Sequence, residues 1–130
     1  MAGELILIIE DNDKNLKLVR DVLQFNGYET AEAMTAEDGL VLARSQPPVL
    51  ILMDIQLPGM DGFAALRRLR ADPITESTLV IAVTASAMER DRQKILEAGF
   101  DGYITKPIQV KAFVEEIRTA LAKRSRHVKD

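Results

Sequence analysis

The amino-acid sequence predicts an α/β fold, in which helices cover both faces of an open parallel β-sheet. Apolar runs of strand length alternate with segments of helical period, and the pair repeats five times. Three of the apolar runs are continuous rather than alternating, which is typical of parallel strands that are buried on both faces. A length of 130 residues with 47% hydrophobic and 28% charged residues is typical of one globular domain. We therefore expect a single core around a five-stranded sheet.

The five predicted strands are the apolar runs themselves. They cover residues 5–9, a weaker run at 28–33, then 49–53, 79–83 and 102–105. The runs at 5, 49 and 79 are the continuous ones, so these strands are predicted to form the centre of the sheet.

The helices are predicted from apolar residues that recur at steps of three and four. In "NLKLVRDVLQF" these are Leu16, Val19, Leu23 and Phe25, and "AALRRLRA" carries Leu66 and Leu69. Helix ends are marked by capping residues. Two pairs have the N-cap and N3 spacing of a helix start, Thr35 with Asp38 and Ser86 with Glu89. Two glycines, Gly27 and Gly99, follow helical segments at the position where a left-handed residue is favoured.

Composition and charge exclude several classes of protein. A net charge of −3 and a pI near 5.2 argue against nucleic acid as the main partner. The chain has no cysteine, so disulfides and thiolate metal sites are excluded. No apolar stretch reaches the roughly 18 residues of a membrane span, and the start lacks a signal-peptide pattern, so we expect a cytoplasmic protein without a membrane partner. We predict one domain over residues 1–124 and a solvated basic tail over 125–130, with a binding site in the tail as the alternative.

Polar side chains follow four of the five predicted strands. Ligand chemistry in open α/β sheets collects at the carboxyl ends of the strands, so these residues are candidates for one site. Each also has an ordinary structural explanation as a turn, capping or loop residue. They are Glu10 and Asp11 after the first strand, Asp54 after the third, Thr84 after the fourth, and Lys106 with Pro107 after the fifth.

The three acidic residues predict a metal site. If Glu10, Asp11 and Asp54 lie about 5 Å apart, each pair repels by roughly 3 kcal/mol at an effective dielectric constant of about 20. Hard oxygen ligands without His or Cys favour Mg²⁺, or Mn²⁺ as a substitute. In such a site Asp54 is a candidate nucleophile toward phosphorus, Lys106 a point charge for a phosphoryl oxygen, and the Thr84 hydroxyl a second donor.

Four segments resemble the receiver domains of two-component response regulators. They are "IIEDND", "LILMDIQLPGMDG", "VIAVTASA" and "AGFDGYITKPI", in the family's order and at its spacing over nearly the whole chain. The resemblance implies the CheY-like, flavodoxin-like fold with strand order 2-1-3-4-5. It also implies that Asp54 accepts a phosphoryl group from a phosphohistidine on a sensor histidine kinase or a histidine phosphotransfer protein.

The same resemblance assigns the remaining site roles. Asp11 and Asp54 with the backbone carbonyl of Gln56 would bind Mg²⁺, and Glu10, where the family more often has aspartate, would act mainly through water. The bond matching Lys106–Pro107 is cis in the family, which would aim the lysine at the site.

Output is likewise implied by the resemblance. In receivers the hydroxyl matching Thr84 moves toward the phosphoryl group and the aromatic matching Tyr103 turns inward, which repacks the surface of helix 4, strand 5 and helix 5, here roughly residues 87–122. Without Thr84 and Lys106 in register, Tyr103 would be interpreted as a half-buried core aromatic. Gln56 and Ser86 flank the phosphoryl group in the family and influence its lifetime, and the small Ala85 leaves the entrance open.

We expect a single-domain regulator that is read by a partner protein and is not an enzyme beyond its own phosphorylation and dephosphorylation. "MDIQLP" and "VTASAM" resemble the DivK-like cell-division regulators, but receivers of hybrid histidine kinases share these phrases. An aspartyl phosphatase would place a second acid where Gln56 stands, and a flavin or nucleotide carrier would need a phosphate loop where "EDND" stands. A receiver-like module that binds without phosphorylation stays an alternative, although such a module is expected to lack Asp54, Thr84 or Lys106.

Overall fold

The computed structural model describes the backbone of residues 3–129 and the side chains of residues 3–123. Five strands alternate with five helices along the chain. In order they are β1 Leu5–Ile9, α1 Asp13–Phe25, β2 Glu29–Ala33, α2 Ala36–Ser45, β3 Leu50–Asp54, α3 Gly62–Ala71, β4 Leu79–Thr84, α4 Glu89–Ala98, β5 Gly102–Thr105 and α5 Val110–Lys129. The predicted strands differ from these by no more than one residue at either end.

The five strands form one parallel sheet in the order β2-β1-β3-β4-β5. This is the predicted flavodoxin-like order, so the fold class is confirmed. The chain order reverses beside β1, which lies between β2 and β3. Since all strands run the same way, their carboxyl ends share one edge of the sheet.

Alternate residues of the central strands face two separate layers of helices. Leu7 and Ile9 of β1 pack with residues of α2, α3 and α4, whereas Ile6 and Ile8 pack with residues of α1 and α5. Strand side chains alternate between faces with a period of two, so a continuous apolar run supplies both layers at once. The burial of β1, β3 and β4 on both faces fixes the carboxyl edge of these three strands.

The helix predictions are confirmed with two exceptions. The Thr35 hydroxyl accepts a hydrogen bond from the Asp38 N–H, and Gly27 and Gly99 have left-handed φ angles of 91° and 108°. Phe25 was predicted to belong to the buried face of α1, but 91% of its surface is exposed, because the last turn of α1 extends beyond the sheet-facing residues Leu16 to Leu23.

The second exception is the capping box predicted at Ser86 and Glu89. Helix α4 has Met88 as its N-cap residue, without a side-chain cap. The Ser86 hydroxyl instead accepts from the Met88 N–H and donates to Asp91. The capping-box prediction is therefore wrong, because the helix begins two residues later than a Ser86 cap requires.

The end of the chain leaves one prediction open. Helix α5 continues across the boundary predicted at residue 124, and the side chains beyond residue 123 lie outside the described residues. The division into a domain at 1–124 and a tail at 125–130 therefore stays a prediction. In the part of the chain that the structure describes, no helix combines the length and apolar character needed to cross a bilayer.

Candidate functional site

Four strand ends bring the predicted site residues to one edge of the sheet. Asp54 is the last residue of β3, and Thr84 the last of β4. The register pairs Asp54 with Val83 and Thr84 with Thr105, so Lys106 follows directly beside the end of β4. Glu10 follows β1, the neighbour of β3 on its other side.

Glu10, Asp11 and Asp54 form an acidic cluster. Each offers a carboxylate oxygen, and these oxygens all lie within 4.8 Å of one another. The condition from which the sequence predicts a metal site is therefore met. Glu10 and Asp54 are only 3% and 5% exposed, whereas Asp11 is exposed. Three carboxylates at this distance repel pairwise by about 3.5 kcal/mol at an effective dielectric constant of about 20, so the cluster favours a cation.

Lys106 supplies one positive charge to the cluster. Its Nζ donates to Asp54 Oδ2 at 2.9 Å and lies 3.3 Å from Glu10 Oε1. Burial acts to lower the pKa of Lys106, but the hydrogen bond and charge of Asp54, together with Glu10, outweigh it, so the pKa is raised above its ordinary value. Lys106 is therefore a protonated ammonium group that is shared between two buried carboxylates.

The backbone holds Lys106 in place. Its N–H donates to the Thr84 carbonyl oxygen at 2.7 Å, and the following bond to Pro107 is cis. The residue is thus anchored to the end of β4 on its main-chain side and to the acidic cluster on its side-chain side.

The pKa of Glu10 is raised above its ordinary value. Its burial is the main cause of a raised pKa, and the nearby charge of Asp54 adds to the effect; the Asn12 N–H and Lys106 oppose it. The Asn12 N–H donates to Glu10 Oε2 at 3.1 Å, so the carboxylate is fixed by the loop that opens α1. The cluster holds more negative charge than one lysine neutralises.

The loop after Asp54 folds back tightly on the strand end. The Gln56 N–H donates to Asp54 Oδ1 at 2.9 Å, and the Gly62 N–H donates to the Ile55 carbonyl at 3.0 Å. A Cβ at position 62 would lie 3.0 Å from Ile55 Cα and 3.1 Å from the Asp54 carbonyl oxygen, so this crossing is close enough to favour glycine. Gly59, with φ of 76°, makes the turn between them. Both Asp54 oxygens are therefore fixed in direction.

Thr84 is buried at the edge of the site, 7% exposed, and its hydroxyl accepts from the Ser86 N–H at 3.1 Å. The neighbouring Ala85 and Gln56 are exposed, and Ser86 is half-buried. Among the described residues, the Thr84 hydroxyl is bonded to Ser86, which lies just before α4, and not to a residue of the acidic cluster.

Tyr103 is half-buried on β5 and packs against the α2–α4 face of the core. The guanidinium carbon of Arg92 lies 5.0 Å from the centre of its ring. Neither Arg92 nor Asp91, which accepts a hydrogen bond from Ser86, is among the residues predicted from the sequence. Their only signal was their position in the first turn of the helix that follows Thr84.

The donor set of the acidic cluster fits Mg²⁺. The ligands on offer are carboxylate oxygens without sulfur or imidazole, which is the chemistry this hard ion prefers. Two of them come from the loop directly after β1 and one from the end of β3, so these neighbouring strands set their spacing.

A doubly wound sheet with an acidic cluster, a lysine and a threonine at its carboxyl edge defines a class of signalling domain. The family model described as "Response regulator receiver domain" matches residues 6–118. The chain belongs to the response regulator receiver domain family.

Curated relatives indicate a narrower similarity. The polar-differentiation response regulator DivK of Brucella ovis is 44% identical over 116 residues, which are 89% of this chain and 94% of that protein. DivK of Brucella anthropi has the same identity and coverage. The chain thus resembles DivK over almost the full length of both proteins, and the predicted likeness is confirmed.

Solved structures agree with the family. A CheY-like receiver domain protein from Methanospirillum hungatei superposes with a TM-score of 0.87 and 31% identity, over 97% of this chain and 99% of the other. The receiver domain of a sensor histidine kinase from Pseudomonas aeruginosa, determined with a magnesium ion in its active-site cleft, gives 0.85 and 31%, over 93% and 99%.

Proposed function

We propose that this receiver accepts a phosphoryl group on Asp54 from a phosphohistidine of a sensor histidine kinase or a histidine phosphotransfer protein. The observation that carries the proposal is the position of Asp54: a buried carboxylate at a strand end, with two acids and one lysine within reach. An Asp54 oxygen attacks phosphorus, the phosphorus–nitrogen bond breaks, and the electron pair of that bond leaves with the imidazole.

The chain's own groups prepare Asp54 for this step. The Gln56 N–H and the Lys106 ammonium each occupy one direction at the carboxylate, which orients it while leaving lone pairs free. After transfer, Lys106 binds a phosphoryl oxygen as a point charge, and the Thr84 hydroxyl donates to another. These groups come from the ends of three different strands, β3, β4 and β5, so the sheet sets their spacing before any ligand arrives.

The proposed metal is Mg²⁺, with Mn²⁺ as a substitute. Asp11, Asp54 and the backbone carbonyl of Gln56 would hold it, and Glu10 would act through water. When bound, the ion supplies positive charge against the phosphoryl oxygens. The three mutually repelling carboxylates, which a single lysine neutralises only in part, support this assignment.

The proposed output is a change of surface. A phosphoryl charge of about −2 draws the Thr84 hydroxyl inward, Tyr103 fills the space, and the face formed by α4, β5 and α5 is read by a partner protein. Gln56, Ser86 and Ala85 line the approach and set the phosphoryl lifetime. Nucleic acid and membrane are not proposed as partners, the chain has no catalytic role beyond its own phosphorylation and dephosphorylation, and its compartment is the cytoplasm.

A regulator of the DivK type is the form of this function that we propose, because the likeness to DivK covers almost all of both chains. The receiver of a hybrid histidine kinase is the second candidate, since the Pseudomonas kinase receiver is 31% identical over nearly the same span. In the first case a separate protein donates the phosphoryl group and another reads the surface. In the second, a kinase on the same polypeptide donates it.

Acetyl phosphate tests the proposal without a known kinase. The protein is incubated with acetyl phosphate and Mg²⁺ and its intact mass is measured. We expect a gain of one phosphoryl group, which is lost in Asp54→Asn and after chelation of Mg²⁺. The exposed Asp13→Asn serves as a matched control that keeps the gain. If neither acetyl phosphate nor a phosphorylated histidine phosphotransfer protein produces an adduct, the chain is a receiver-like module that binds without phosphorylation.

A further inference from the structure

The first turn of α4 is linked to Thr84 through a short series of hydrogen bonds. The Ser86 hydroxyl donates to Asp91 Oδ2 at 2.5 Å and accepts from the Met88 N–H at 3.2 Å. The Ser86 N–H in turn donates to Thr84 Oγ1 at 3.1 Å. A serine hydroxyl has one proton, so while Asp91 accepts it, Ser86 cannot donate to any group in the acidic site.

The next residue of α4 contacts Tyr103. The guanidinium of Arg92 lies over the Tyr103 ring at 5.0 Å, and its Nη1 donates to Glu89 at 3.1 Å. Arg92 Nε is buried and finds no hydrogen-bond partner among the groups that the structure describes. A buried donor without a partner costs free energy, so the contacts with Tyr103 and Glu89 hold Arg92 in place against this cost.

Two adjacent residues on one turn therefore act on two different side chains. Asp91 reaches Thr84 through Ser86, and Arg92 reaches Tyr103 directly. Both sets of contacts lie outside the acidic site. They end on Thr84 and Tyr103, the two side chains that move in the proposed switch.

We propose that Asp91 and Arg92 are positioning residues that hold Thr84 and Tyr103 in the unphosphorylated arrangement. The inference rests on the proposed function. For Thr84 to turn toward a phosphoryl group, the Ser86 N–H must follow its acceptor or lose it, and Asp91 holds Ser86 back. For Tyr103 to turn, it must leave the face of the Arg92 guanidinium, after which Arg92 Nε is free to find a partner.

A purely structural role for Asp91 makes a different prediction. Asp91 lies in the first turn of α4, where a negative charge stabilises the helix by itself. The two roles separate in Asp91→Asn, which keeps an oxygen for the Ser86 hydroxyl and loses the charge. Asp91→Ala removes both.

Tyr103 can be observed by its own fluorescence. The chain has no tryptophan and two tyrosines, so Tyr28→Phe leaves Tyr103 as the only tyrosine. In this parent, beryllium fluoride with Mg²⁺ is titrated as a non-covalent phosphoryl mimic, and Tyr103 fluorescence reports the switch at equilibrium. Apparent affinity for the mimic rises as the resting arrangement is weakened, because the apparent dissociation constant varies inversely with the fraction of the protein that is in the binding-competent state.

We expect Asp91→Ala and Arg92→Met each to tighten the apparent affinity by about fivefold, the lower end of typical coupling between sites. In both variants the fluorescence without mimic moves toward the bound value. Asp91→Asn and the exposed Arg90→Met, a control on the same turn, stay within about twofold of the parent. In a Ser86→Ala background, Asp91→Ala has no further effect, because its partner is gone. Ser86→Ala breaks the same hydrogen bond and replaces Asp91→Ala if that variant does not fold.

Equal shifts for Asp91→Ala and Asp91→Asn, or additive effects with Ser86→Ala, overturn the positioning role and leave a helix-charge effect. A parent that binds the mimic and changes its fluorescence while both variants match it overturns this inference alone. A parent that binds no mimic and gains no phosphoryl group in the intact-mass assay overturns the proposed function, and this inference with it.

Discussion

Replacing Lys106 with methionine is expected to make the stability of the protein depend on pH and Mg²⁺. The substitution keeps a linear side chain of similar length and removes the ammonium that contacts two carboxylates at 2.9 and 3.3 Å. Those carboxylates are 5% and 3% exposed, so water solvates them poorly once the ammonium is gone. The variant leaves Asp54 and Glu10 without their lysine.

The size of the effect follows from these distances. At an effective dielectric constant of about 20, the two contacts attract by about 6 and about 5 kcal/mol, most of which is offset by desolvation of the three charges. Breaking a buried pair typically costs about 3–5 kcal/mol. The loss of unfolding free energy is limited because Glu10 can instead take up a proton. At about pH 7 this protonation costs about 3.7 kcal/mol for an ordinary pKa of about 4.3. We therefore expect a loss of about 3 kcal/mol near neutral pH.

Urea unfolding measures this loss. At about pH 4, below the ordinary glutamate pKa, Glu10 takes up a proton, and the loss should shrink to about 1 kcal/mol, which reflects packing of the lysine stem. Saturating Mg²⁺ near neutral pH should restore most of the difference, because the ion replaces the missing charge. The exposed Lys111→Met is the matched control and should change stability little under all three conditions. A loss for Lys106→Met that is equal at both pH values and insensitive to Mg²⁺ would refute the electrostatic reasoning.

Three further substitutions probe the site and the fold. Because burial raises the pKa of Glu10, its carboxyl contributes stability that is present below the ordinary glutamate pKa and is lost as pH rises through the folded-state pKa. Glu10→Gln should therefore be more stable than wild type near neutral pH without Mg²⁺, and equal to it at acidic pH. Urea unfolding midpoints measured across this pH range will show the difference. Arg70 donates to the Thr78 carbonyl at 2.7 Å and to Asp101 at 3.0 Å, so Arg70→Met should lose about 2 kcal/mol by urea unfolding, and an unchanged midpoint would contradict this. Gly99 has φ of 108°, so Gly99→Ala should lose about 1–2 kcal/mol in thermal unfolding, whereas a neutral result would mean that the end of α4 relaxes.

Most of the fold was predictable because its signals are local. Continuous apolar runs identified β1, β3 and β4, and the alternation with helices gave the parallel sheet. The errors arose where a pattern has two readings. Phe25 continues the apolar spacing of α1, but that spacing does not reveal where the sheet beneath it ends. Ser86 has capping-box spacing with Glu89, yet its hydroxyl donates a hydrogen bond to Asp91 instead.

The site was predictable as a set of residues but not as a set of contacts. Parallel topology brings Glu10, Asp54 and Lys106 to one edge, and this follows from strand ends alone. That Lys106 is shared between both carboxylates requires the loop geometry. Long-range contacts such as Arg92 over Tyr103 left no pattern in the sequence, because a cation–π pair has no fixed spacing along the chain.

The central claim is that Asp54 is the nucleophile, and chemical mapping of the phosphorylated residue tests it most directly. The protein is treated with acetyl phosphate and Mg²⁺, the acyl phosphate is reduced with borohydride, and the digested peptides are sequenced by mass spectrometry. Reduction converts a phosphorylated aspartate to homoserine and leaves free carboxylates unchanged. We predict homoserine at position 54 and aspartate at positions 11 and 61. Homoserine at another acidic position, with Asp54 intact, would contradict the assignment.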